Sequence, residues 1–266
     1  MEKYRKYLVK EGLAENTVRS YVWTAEQFRA TYGKPTLKKV LAYKESLTLR
    51  YRPQTVNLRL IALGRYLDYM GLTDMKPHIV RIARKSFLEN VISDADYRYF
   101  KKCLRRDGLV SWYFLVWFLA ATGARVSELR QVKAEHIGQG YLDIYSKGGK
   151  IRRLYIPKLL RAEAVGWLNE RGMESGYIFT NRFGGRLTTR GIAQQLKRYG
   201  RKYGLDASVV YPHSFRHLFA RNFLDRHKDI AMLADLMGHE SIETTRIYLR
   251  RTACEQQRVM DRIVDW

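Results

Sequence analysis

Residues 211–249 read YPHSFRHLFARNFLDRHKDIAMLADLMGHESIETTRIYL, and the rest of the chain is ordered around this stretch. His213 and Arg216 stand three apart, so on a helix they share a face and reach one small target together. An arginine presents a planar fork of donors that keeps its charge, and a phosphodiester is the ligand that suits it. Histidine adds a proton carrier near neutral pH. Gly238-His239 follows, and Tyr248 comes nine residues after the histidine. A tyrosine hydroxyl can attack phosphorus and form a covalent intermediate when nearby cations hold the developing charge. The stretch therefore predicts a phosphoryl-transfer site.

Upstream, an uncharged run from Gly108 to Ala124 approaches the length of a membrane span, but Ser111, Thr122 and Gly123 interrupt it and charged segments flank it. It reads as a buried helix over Trp112–Ala121, preceded by a helix from Ser93 to about Arg106 with Asp94 and Asp96 in its first turn. Thr122-Gly123 breaks the apolar helix, and a new one begins close to Arg125, where free N–H groups already favour an anion. Glu128 either orients Arg125 or serves as an ordinary helix-start acid. Residues 141–157, YLDIYSKGGKIRRLYIP, alternate on either side of Gly148-Gly149 and predict a hairpin with Lys147 and Lys150 at its tip. A lysine there can protonate a leaving 5′ oxygen, and the spacing alone does not choose between the two. A third short strand is expected at Tyr177–Thr180, a turn-rich basic loop at Asn181–Arg186 and a helix from about Thr188. The last residues, with Val259, Met260, Ile263, Val264 and Trp266, form an amphipathic helix. His217 lies about 100° from Arg216 on the helix and reads as a supporting residue. His78, His136 and His227 carry no specific signal.

At the N-terminus, residues 2–11 and 15–32 read as helices, a third runs from Thr36 to about Leu47, and Pro53 opens a fourth. Its Val56, Leu60, Leu63, Leu67 and Met70 line one face before Gly71 stops it. Such a module is either a structural bundle or a compact DNA-binding domain. From Thr73 to Asn90 the stripe lapses while Arg81, Arg84 and Lys85 accumulate, as in an interdomain linker.

The 266 residues carry 49 Lys and Arg against 26 Asp and Glu, a net charge of +23. The excess is spread: 14 basic and 6 acidic residues fall before Thr73, and 35 and 20 after Leu72. This is the pattern of a protein that wraps a polyanion with two surfaces, so nucleic acid is the expected partner. No lipidation signal or concentrated basic amphipathic helix supports a membrane role, and the N-terminus lacks a signal peptide's apolar core. Cys103 and Cys254 have no metal-ligand spacing, so neither a disulfide framework nor a zinc site is expected.

The HSFRH, GHES and TTRIYLR segments, with TGARVSEL upstream, resemble the tyrosine recombinase (phage-integrase/Xer-like) family of site-specific DNA recombinases; the T-V-R-S-Y and T-V-N-L-R-L-I-A-L phrases are similar to its core-binding domain. The resemblance implies a mainly α fold with a small antiparallel sheet in two domains. These are an N-terminal four-helix SAM-like core-binding domain (residues 1–75), a linker (76–90), and a C-terminal α+β catalytic domain with a tail helix (91–266). It implies that Tyr248 is the nucleophile, that Arg125 and Arg216 neutralise the phosphate with His239 as a further donor, and that His213 takes up the tyrosine proton. It selects Lys147 over Lys150 as the general acid, with no cofactor and no metal. The implied partners are double-stranded DNA with specific recombination sites and three further copies in a tetramer joined by tail exchange. A cytoplasmic enzyme acting on short core sites, for integration or excision of a mobile element, is expected. Tyr211 and Leu218 depart from the family pattern, which usually has small hydroxyl residues there. The alternatives are a type IB topoisomerase-like relaxing enzyme and a non-cleaving DNA-binding factor on the same scaffold.

Overall fold

The structure, a computed structural model, describes residues 1–82, 90–145, 151–249 and 253–264. The chain divides into two compact units, Met1–Arg84 and Lys85–Trp266.

The first unit holds four helices, α1 (Glu2–Lys10), α2 (Glu15–Tyr32), α3 (Leu37–Arg50) and α4 (Pro53–Tyr69). Each ends where local chemistry dictates. Gly33, at φ 71°, stops α2; the Thr36 hydroxyl accepts the Lys39 N–H to start α3; and Pro53, which has no N–H to satisfy, sits in the first turn of α4. Their apolar stripes meet in a core of Leu8, Val18, Phe28, Val40, Leu60, Leu63 and Leu67, with a group of tyrosines at one end. The segment after α4 is not free. Asn57 donates to the Val80 carbonyl at 2.8 Å and accepts the Val80 N–H at 2.7 Å, so the first unit runs past the boundary expected at residue 75.

In the second unit, α5 (Asp94–Arg106) begins at Ser93, whose Oγ accepts the Asp96 N–H at 3.0 Å. The uncharged run forms α6 (Val110–Thr122), longer than expected and buried on nearly every side. It is wrapped by α5, α9 and α11, with Phe114 stacked on Trp167 and Phe118 edge-on to Phe179. Among the described residues no helix is long and apolar enough to cross a membrane. Two short helices follow, α7 (Val126–Leu129) and α8 (Ala134–Gln139), and then the hairpin of β1 (Tyr141–Tyr145) and β2 (Ile151–Tyr155). The strands pair antiparallel from Tyr141 with Tyr155 to Tyr145 with Ile151. The tip, with Lys147 and Lys150, lies outside the described residues. A helix the sequence reading did not anticipate, α9 (Lys158–Glu170), precedes α10 (Thr189–Lys202), α11 (Pro212–His227), α12 (Ile230–Met237), α13 (Ile242–Arg246), a 3-10 turn at Ile247–Leu249 and α14 (Ala253–Ile263).

The strand expected at Tyr177–Thr180 is not one. Only single bridges form there, Lys133 with Tyr177 and Thr180 with Arg186. Gly176, at φ 92°, turns the chain on one side. On the other, Asn181 Oδ1 collects the N–H groups of Phe183 and Gly185, so there is no length over which a ladder can run.

Candidate active site

The site is assembled at the C-terminal end of α12. Helix ends leave carbonyls without intrahelical partners, and the helix dipole makes that end attractive to cations. Three consecutive carbonyls there accept from three arginines brought in from different elements. Leu236 O takes Arg152 Nη1 at 2.8 Å, Met237 O takes Arg216 Nη2 at 2.7 Å, and Gly238 O takes Arg125 Nη2 at 2.9 Å. Arg216 comes from α11, Arg152 from β2, and Arg125 from the residue that caps α7. Gly238 is required by this crowding. It ends α12 at φ 60°, and a Cβ there would lie 2.3 Å from Arg152 Cδ.

One carboxylate serves all three guanidinium groups. Glu128 Oε1 accepts Arg125 Nη1 at 2.8 Å, while Oε2 accepts the Arg125 backbone N–H at 2.7 Å and Arg152 Nη2 at 2.8 Å. Arg216 Nη1 reaches within 4.0 Å of the same oxygen and also donates to the Gly123 carbonyl at the end of α6. Of the two readings of Glu128, the orienting one describes this geometry. Three positive charges against one negative leave the cluster with an unmet demand for an anion. Arg152 and Arg216 are buried, and burial lowers the Arg216 pKa to about 10, with Arg125 adding to the effect. Arg125 keeps more than a third of its side chain exposed, on an open groove of about 900 Å³ that it lines with Arg152, Arg153, His239 and Thr244.

Tyr248 is buried in the 3-10 turn after α13. Its ring lies parallel to that of His239, with centroids 6.1 Å apart, and 5.2 Å from His217. Burial raises the phenol's pKa, while the positive charges of Arg216 and Arg125 pull against that rise. His239 Nε2 lies 2.9 Å from Arg216 Nη2, and its Nδ1 lies 2.7 Å from Thr245 Oγ. Because a guanidinium can only donate, Nε2 is the acceptor here and the ring proton sits on Nδ1, directed at Thr245. Burial and the three arginines push the His239 pKa down to about 4, which matches a neutral ring. His213 starts α11 with an exposed ring, and loss of hydration with the charges of Arg216 and Arg125 lowers its pKa as well.

Five of the six residues singled out in the sequence thus lie on the elements around this helix end. Lys147, the sixth, is outside the described residues. Arg152 and Thr245 went unnoticed in the sequence. A signal for Arg152 was present: along β2 it falls in register with Leu154 and Ile156, so strand alternation put a charge on the inward face. His136 accepts the Lys133 N–H at the start of α8, a structural role.

The depressed histidines make stability pH-dependent. His217, half-buried with a buried, unpartnered Nδ1, is pushed down to about 4, as is His239. An unfolded chain binds these protons near 6.5, the folded one only near 4. Folding stability is therefore fully present above about 6.5 and lost as pH falls towards 4. The Tm of the free protein is expected to drop between pH 7 and pH 4.5, with a shallower slope for His217→Asn. Parallel slopes in a thermal-denaturation series would show that His217 does not contribute.

The phage integrase family model matches residues 98–255. A tyrosine recombinase XerA from Pyrococcus furiosus is 33% identical over 98% of this chain and 93% of its own length. A second XerA, from Pyrococcus horikoshii, is 30% identical over 99% and 95%. Among solved structures, the Tn1549 transposon integrase in complex with transposon right end DNA superposes with a TM-score of 0.74 at 14% identity, covering 98% of each chain. Fold and relatives together define a DNA strand-breaking and rejoining enzyme that carries out site-specific recombination. The chain belongs to the phage integrase family, the tyrosine recombinases.

Proposed function

We propose that Tyr248 is the nucleophile and that the arginine cluster at the end of α12 is the receptor for the scissile phosphate of double-stranded DNA. Tyr248 Oη attacks phosphorus, the bond from phosphorus to the 5′ oxygen breaks, and a 3′-phosphotyrosyl link and a free 5′ hydroxyl result. Attack by the freed hydroxyl of a partner duplex reverses the step through a four-way junction, and the stored phosphodiester bond removes any need for ATP. Arg125 and Arg216 neutralise the non-bridging oxygens. His213 takes the phenol's proton, for which its depressed pKa keeps it neutral at pH 7. Lys147 supplies the proton to the leaving oxygen. His239 becomes a further donor by moving its ring proton from Nδ1 to Nε2 as Arg216 turns to the phosphate, with Thr245 then donating in return.

The observation that carries this reading is the excess of positive charge around one carboxylate beside a buried phenol. A nicked duplex that loses its 5′ fragment on cleavage should trap protein and DNA together on a denaturing gel. A non-cleaving binding factor would leave no such band, and a relaxing topoisomerase would work as a monomer without paired sites.

The DNA partner is read as a duplex with specific recombination sites held by a homotetramer, in which α14 of one protomer docks on its neighbour. Support comes from the exposed Met260, Ile263 and Val264 of that helix. The first unit serves as the core-binding domain, read in the sequence as residues 1–75 and reaching past Val80 in the fold, with the catalytic domain over 91–266; integration or excision of a mobile element in a prokaryotic cytoplasm is the proposed setting. Deleting residues 253–266 is expected to abolish synapsis of two sites in native gels while single-site binding stays within about threefold. Unchanged synapsis would remove the docking idea.

A further inference from the structure

Arg152 is the member of the arginine cluster that the scheme above does not use. Its side chain is 7% exposed, as is that of Glu128, and it donates both to the Glu128 carboxylate and to Leu236 O at the end of α12. Without it, the hydrogen bond left to Glu128 Oε2 is that from the Arg125 backbone N–H, with Arg216 Nη1 4.0 Å away. Arg152 borders the groove with little of its side chain exposed, both of its Nη groups are taken by protein acceptors, and its Nε is buried without a partner. A buried cation with an unsatisfied N–H is a costly residue to keep for stability alone, since an apolar side chain of similar volume usually does as well in such a place.

We infer that Arg152 is a positioning residue for the reaction: it locks the Glu128 carboxylate against the end of α12, and Glu128 in turn aims the Arg125 guanidinium at the phosphate. The geometry on either side supports the relay. Arg152 uses one Nη on Leu236 O and the other on Glu128, which spans the two elements that Arg125 also bridges through Glu128 and Gly238 O. With Arg152 gone, the carboxylate loses the donor that opposes Arg125 and can swing with it. The Arg125 fork would then keep its charge but lose its direction, and a displacement of about 1 Å in a catalytic group is enough for roughly a hundredfold in rate. Gly238 is shaped by the same contact, because any side chain there would displace Arg152.

The inference rests on the proposed phosphate-binding role of Arg125, and one assay separates the two. Single-turnover adduct formation is followed on the nicked duplex with either the ordinary 5′ oxygen or a sulfur at that bridging position. A thiolate leaves without a proton, because thiols ionise near 8.5. If wild-type protein forms no adduct, the functional reading fails and Arg152 is beside the point. Given a wild-type adduct, Arg152→Met is expected to slow its formation about 10- to 100-fold on both substrates, with site affinity within threefold. Arg152→Lys should recover part of the rate, since it keeps a donor for Glu128 and loses the one for Leu236 O. The pair Glu128→Gln with Arg152→Met should be no slower than the slower single variant, as expected of residues acting in series.

The inference is overturned by a defect that disappears on the sulfur duplex, which would place Arg152 in the proton-donating step. It is equally overturned by additive losses in the double variant, or by a loss in each variant that follows the fraction unfolded in circular dichroism at the assay temperature. Should Arg152→Met not fold, Arg152→Lys is read by the same criteria.

Discussion

Tyr248→Phe is expected to form no covalent adduct on the nicked duplex, a fall of at least about 10⁴-fold from loss of the attacking group, while still binding its site. Phenylalanine keeps the ring that lies against His239 and His217, so packing of the C-terminal helices should be retained and Tm should move little. Only the phenol oxygen is removed. That oxygen is well protected in the free protein, because burial holds the phenol protonated. Gel electrophoresis under denaturing conditions reads the outcome directly, and a surviving adduct would mean that another hydroxyl is the nucleophile. Tyr211, itself half-buried at the start of α11, would be the next to mutate.

Arg216→Lys is the second large effect. The charge stays, but the fork that reaches Gly123 O, Met237 O and His239 at once is lost. A missing donor in a preorganised site costs about 3 kcal/mol, or a hundredfold or more in rate. Arg216→Ala should be worse by a further mechanism, because it leaves two buried carbonyls unpaired at about 1–3 kcal/mol each. Cleavage is expected to fall at least a hundredfold for Lys and beyond detection for Ala. Lys should keep site affinity within about threefold, and Ala should also lower Tm. A lysine variant that cleaves at the wild-type rate would show that charge alone, and not its direction, is what this position supplies.

Both of these effects could be foreseen. Tyr248 and Arg216 stand out in the sequence because residue type and spacing coincide with a known arrangement. The four-helix first unit was equally legible, since its apolar positions recur at helical spacing and Gly33, Thr36 and Pro53 mark its joints. The hairpin itself followed from alternation around two glycines. The strand expected at Tyr177–Thr180 failed because four residues of suitable composition say nothing about whether a partner runs beside them. Helix α9 was passed over although its buried Leu160, Ala164, Trp167 and Leu168 recur at helical spacing.

What the sequence determined by itself is the set of chemical parts: helices with buried stripes, a strong positive charge, and arginines, histidines and one late tyrosine in a telling order. Those properties depend on residue type and on neighbours within a turn or two. What only the tertiary structure decided is how three arginines separated by up to 91 positions share one carboxylate and take successive carbonyls of a single helix end. Glu128 was ambiguous, and strand alternation marked Arg152 only as inward-facing, because a long-range ion pair leaves no periodic trace of its partners. Its energy comes from bringing charges together in a dry interior, and that happens only once the core has closed around them.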